Sequence, residues 1–136
     1  MCWIGKYARR VAKRDITVYK IGYILENKFI SFFQSYAYEI KKINAEITLM
    51  PDIHSEYSLC VIYEGYHSYT DISMPYSKLG SSSRKVYLGK TSSTLWLCNN
   101  YYIATFIIPK GSDYFENYEG EIVSSNIIYT GKYVKI

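Results

Sequence analysis

The run Ile16–Leu25 is largely apolar on both of its alternating faces, and this limits what the chain can become. Ile16, Val18, Lys20, Gly22 and Ile24 fall on one face if the run is extended. Thr17, Tyr19, Ile21, Tyr23 and Leu25 fall on the other. Such a strand needs cover above and below, so it predicts a central position in a sheet. Tyr101–Ile108 reads the same way and stops at Pro109-Lys110-Gly111. Tyr57–Tyr63, β-branched and aromatic, is a third strand. No parallel-type βαβ rhythm, internal repeat or heptad accompanies these runs. The fold expected is α+β, mostly antiparallel β, with one or two short helices.

The helices are expected at Tyr7–Arg14 and at Tyr36–Asn44, where Tyr36, Ile40 and Ile43 have helical spacing. Lys28–Gln34 follows a turn at Asn27 and reads as a strand. Glu46–Met50 extends the second helix or forms a strand, and Pro51-Asp52 breaks the pattern. Gly65–Thr70 reads as a turn or strand end. Ser73–Ser83, with Pro75, Gly80 and three serines in a row, reads as a mobile loop. Arg84–Leu88 and Thr94–Cys98 are short strands, and Glu121–Ile128 and Gly131–Ile136 close the fold.

A length of 136 residues suits one domain, 1–136, able to bury a core without staples. Cys2, Cys60 and Cys98 have no CxxC spacing, which predicts reduced thiols in a reducing compartment. Neither His54 nor His67 forms a zinc pattern with them, so no metal and no cofactor is expected. Met1–Arg10 lacks the apolar run of a signal peptide, and no stretch approaches a membrane span. A cytoplasmic protein with no membrane partner follows. A homo-oligomer is compatible with the sequence.

Charge and aromatic content point to recognition. The net charge of +4 is made of +5 in residues 1–50, zero in 51–109 and −1 in 110–136. Arg9, Arg10, Lys13 and Arg14 lead the basic excess, either as a solvated face or as contacts to an anion. A charge of +4 is too small to argue duplex nucleic acid as the partner. Seventeen tyrosines supply flat surfaces that stack on bases and hydrogen-bond at their tips.

Three segments could carry chemistry. Met1-Cys2 would expose Cys2 as an N-terminal nucleophile after removal of Met1, or leave an incidental thiol beside Trp3. In Gly65-Tyr66-His67-Ser68-Tyr69-Thr70, His67 and Tyr69 share a face of an extended segment and Tyr66 takes the other. This is either a pocket wall or a structural turn. Glu119-Gly120-Glu121 places two carboxylates at i and i+2, where repulsion could raise one pKa, or forms a charged turn between strands.

The chain resembles short proteins of no assigned activity carried by phages and mobile elements of gut bacteria (Bacteroidetes). The resemblance rests on Met1-Cys2-Trp3 with Lys6, Asp15-Ile16, Val18-Tyr19-Lys20 and Gly65-Tyr66-His67-Ser68-Tyr69. It continues in Ile107-Ile108-Pro109-Lys110-Gly111-Ser112, Tyr114, Glu116-Asn117, Gly120-Glu121 and Val123-Ser124. It implies an accessory, host-interacting role such as counter-defence. A weaker likeness is to ADP-ribosyltransferases. Glu119-Gly120-Glu121 before Ile122-Val123 matches their late Glu-x-Glu. Lys20 stands where their arginine belongs, and His67-Ser68-Tyr69-Thr70 replaces Ser-Thr-Ser.

The expected function is non-enzymatic binding or sequestration of a small anionic, nucleotide-like ligand. Tyr66, His67, Ser68 and Tyr69 would form its wall, Arg84 and Lys85 would hold phosphate, and Lys20 would join from the central strand. The alternatives are an ADP-ribosyltransferase-like enzyme with Glu121 catalytic and Glu119 orienting the substrate, or a module that binds a host protein through exposed tyrosines.

Overall fold

A computed structural model of the chain describes residues 3–31, 36–54, 59–73 and 101–135. These residues form twelve strands and almost no helix. In chain order the strands are β1 (Trp3–Lys6), β2 (Arg10–Val11), β3 (Ile16–Leu25), β4 (Lys28–Ser31), β5 (Ala37–Tyr38) and β6 (Asp52–His54). They continue with β7 (Leu59–Ile62), β8 (Tyr66–Tyr69), β9 (Tyr102–Ile108), β10 (Asp113–Glu116), β11 (Glu121–Ser124) and β12 (Ile128–Lys135). The ladders between these strands are antiparallel.

The small sheet has the order β1-β7-β6. The large one runs β12-β9-β3-β8-β11-β10-β2, with β4 also on β3 and β5 on β4. The central position expected of Ile16–Leu25 is what the fold shows. β3 pairs with β9 through Ile16–Gly22, then turns through Glu26 and Asn27, both at positive φ, to pair with β4. Gly22 is required at that crossing, because a Cβ there would collide with the Ile30 carbonyl and lie 2.7 Å from the Phe29 ring. A parallel bridge from Ile40 to Tyr129 ties the chain after β5 back to β12. The pairing β12-β9-β3-β4-β5 thereby closes into a ring. Phe29, Tyr38, Phe106 and Tyr129 pack on one another there, with centroids 4.9–5.7 Å apart.

Each face of the large sheet has its own core. Val18, Phe106, Tyr66, Ile122 and Tyr129 belong to one. Trp3, Cys60, Ile62, Phe115 and Val123 form the other, where the small sheet covers the large. The second core lies over β10 and β11, whereas along β3 Thr17, Tyr19, Tyr23 and Leu25 stay exposed or half-buried, so that strand is fully covered on one side only. Burial of the apolar area is the main stabilising contribution.

Neither expected helix forms. Within Tyr7–Arg14, Arg10–Val11 is a strand that pairs with Asp113 and Tyr114. Within Tyr36–Asn44, Ala37–Tyr38 is a strand on β4 and Ile40 bridges β12. Helical spacing over so few residues is outweighed by sheet partners, distant in sequence for Arg10–Val11 and Ile40 and near for Ala37–Tyr38. The break expected at Pro51-Asp52 instead opens β6. No helix among the described residues is long and apolar enough to cross a membrane.

Candidate functional site

β8 holds four of the expected ligand residues, and it is buried throughout. Tyr66, His67, Ser68 and Tyr69 are at most 6% exposed. The alternation expected of the segment is present. Tyr66 and Ser68 pair with Ser124 and Ile122, on the side of the Phe106 core. His67 and Tyr69 pair with Val123 and Glu121, on the side of the Trp3 core. Gly65, at φ 146°, lets the strand enter against Val123 and Leu49.

Lys20 is buried too, on the Phe106 side. Its ammonium donates to the His67 carbonyl and lies 5.5 Å from the centre of the Tyr38 ring. Burial pushes its pKa down to about 7. On the other face His67 Nδ1 lies 3.9 Å from Glu121 Oε1, and among the described residues neither ring nitrogen of His67 has a hydrogen-bond partner. Burial, then the carboxylates of Glu121 and Glu119, push the Tyr69 phenol up. The Glu121 backbone carbonyl accepts a hydrogen bond from Trp3 Nε1 at 2.8 Å.

Glu119 and Glu121 occupy different environments. Glu119 is exposed in the turn of the β10–β11 hairpin, whereas Glu121 begins β11 and is buried. Asn117 Oδ1 orders that turn by accepting from the backbone N–H groups of Glu119 and Glu121. Among the described residues no cluster of His, Cys, Asp and Glu could hold a metal ion. Cys60 is a buried free thiol. Cys2, Cys98, Arg84, Lys85 and nearly all of the serine loop lie outside the described residues.

The open concave surface lies elsewhere. β2 adds to β10 with Arg10 opposite Tyr114, and the chain beyond it is pinned at several points. Ala12 exchanges backbone hydrogen bonds with Ser112 and Gly111, and Asp15 Oδ1 accepts from the Lys110 N–H at 2.9 Å. Ala12 is buried, while Arg10, Lys13 and Arg14 are exposed around it. These three cations line a cleft of about 570 Å³ on the Phe106 side of the sheet. Ile16 and Ile122 give it an apolar floor, half-buried Tyr114 an aromatic wall, and Thr70 a hydroxyl. Arg9 points away, its guanidinium 6.0 Å from the Phe115 ring centre on the opposite face.

A second cleft of about 630 Å³ lies at the tip of the β10–β11 hairpin. Glu116, Glu119, Glu121 and Asn117 line one side, and Lys6 of β1 is among its other residues. Arg10 and Glu116 line both clefts and face each other at 3.8 Å. Neither cleft is lined by Lys20, His67 or Tyr69.

The basic segment was singled out by its charge. Nothing local in the sequence marks Tyr114 as its partner, because the β2–β10 pairing brings them together. No protein-family model matches the chain, and no curated protein or solved structure matches it.

Proposed function

We propose that the protein binds a small anionic, nucleotide-like ligand without transforming it, and that the basic cleft on β2 and β10 is the site. The observation that carries this reading is the convergence of Arg10, Lys13 and Arg14 with Tyr114 over an apolar floor. A base would stack on Tyr114, and phosphate would take charge-assisted hydrogen bonds from the three cations. Among the described residues, Lys13 and Arg14 form no ion pair, so a ligand need not displace an existing partner from them. The volume falls within the range of small-molecule pockets.

Sequestration of a nucleotide signal in the cytoplasm of an infected host cell suits such a site and the likeness to phage-borne proteins. In this reading Tyr66, His67, Ser68 and Tyr69 are a wall between two cores, with Lys20 fastening it through the His67 carbonyl.

Calorimetric titration with adenosine diphosphate tests the proposal. Wild type should bind, Lys13→Ala and Arg14→Ala should each weaken binding by about tenfold, and the nucleotide should be recovered intact. Absence of binding, or an affinity unchanged from wild type in both variants, would reject the site. Consumption of NAD that depends on Glu121 would favour the enzyme reading instead.

A further inference from the structure

We infer that the two clefts form one two-lobed site, and that the ligand is a phosphate-linked dinucleotide with one nucleoside in each lobe. This rests on the reading of the basic cleft given above and names the ligand class.

The first ground is the shared wall. Arg10 and Glu116 line both clefts and form an ion pair at 3.8 Å where the two meet. The Arg10 side chain is 57% exposed and that of Glu116 30%. Exposed pairs of this kind contribute little, so a ligand can part them. Arg10 then stands at the junction, where a linking phosphate would receive its guanidinium fork.

The second ground is polarity. The basic lobe has three cations and one carboxylate, and the hairpin lobe has Glu116, Glu119 and Glu121 against Lys6 and Arg10. Carboxylates only accept hydrogen bonds, so the group entering the hairpin lobe must donate them. A nucleoside does so through its ribose diol and exocyclic amine, and a bare phosphate does not. Tyr118, 96% exposed at the rim of this lobe, offers a face on which a second base can stack.

The third ground is independent of the carboxylates' number. Behind Glu121 stands His67, 6% exposed, with both ring nitrogens unpartnered among the described residues and Nδ1 3.9 Å from Glu121 Oε1. Buried polar groups without partners are rare. A ligand hydroxyl that donates to Glu121 would hold the carboxylate that faces the His67 ring. Each lobe by itself is large enough for one nucleoside.

The test compares adenosine diphosphate with diadenosine diphosphate by calorimetry, on wild type, Tyr118→Ala and Glu119→Gln. Both changes lie at exposed positions of the hairpin turn, so folding should survive. Diadenosine diphosphate should bind wild type at least tenfold more tightly than adenosine diphosphate. Each variant should lose most of that advantage while its affinity for adenosine diphosphate stays within twofold. Equal affinity of wild type for the two ligands, or an advantage untouched by both variants, would overturn the two-lobed site and leave the basic cleft standing. Failure of both ligands to bind would overturn the basic cleft and this inference together.

Discussion

β8 and β2 make opposite use of polar residues. β8 carries Tyr66, His67, Ser68 and Tyr69, and all are buried between two cores. β2 is two residues long, and the segment around it keeps Arg10, Lys13 and Arg14 in solvent beside Tyr114. A polar composition therefore marks a site only where the backbone leaves it open. In β8 the Tyr66 phenol donates to the Ala45 carbonyl, while among the described residues the His67 ring nitrogens and the Ser68 hydroxyl are buried without a hydrogen-bond partner. Around β2 the side chains of Arg10, Lys13 and Arg14 stay exposed.

The largest effect should fall on the cores that bury β8. Phe106 is fully buried against Phe29, Tyr38 and Tyr129. Phe106→Ala should cost roughly 3–5 kcal/mol of stability by denaturant unfolding. A loss below about 1 kcal/mol would mean that the ring of aromatic packing is not the core.

Tyr69→Ala sharpens the contrast. Removal of this buried ring should cost about 3 kcal/mol, and adenosine diphosphate affinity of the folded fraction should stay within about twofold. Lost affinity with intact stability would return the site to β8.

Lys20 gives β8 a pH signature. Its folded pKa of about 7 lies below the unfolded value near 10.4. Between those values the unfolded chain holds the extra proton, so stability rises with pH above 7 and falls as pH drops toward 7. The gain from pH 7 to 8.5 should be about 1.5 kcal/mol. At higher pH the raised pKa values of Tyr38 and Cys60 act in the opposite direction. Lys20→Met should remove the gain. An unchanged slope in that variant would show that Lys20 is not the group responsible.

The smallest stability effects belong to β2 and the turn after it. Lys13→Ala and Arg14→Ala should each change stability by less than about 0.5 kcal/mol despite the expected tenfold loss of affinity. A loss of 2 kcal/mol or more in either would make the basic segment structural.

What the sequence made legible follows from range. Ile16–Leu25 and Tyr101–Ile108 could be read because two-sided apolar alternation is a local property, and it matches β3 fully and β9 within one residue. Arg10–Val11 could not, because it is a strand only through Asp113 and Tyr114, about a hundred positions away. Ala37–Tyr38 pairs with the nearby Phe29 and Ile30, and the long-range tie of that segment is the bridge from Ile40 to Tyr129. At β8 the alternation of His67 and Tyr69 was legible, but the cover was not. Trp3 and Phe115 lie over one face and Phe106 over the other, brought there by long-range pairing. The charges of the basic cleft were visible, whereas its aromatic wall depends on the register of β2 against β10.

Amide chemical-shift mapping by NMR during titration with adenosine diphosphate tests the central claim most directly. The account predicts the largest saturable shifts in Arg10–Arg14, Thr70 and Tyr114–Glu116, with Tyr66–Ser68 little changed. Shifts concentrated on His67 and its neighbours in β8, with the basic segment silent, would contradict it.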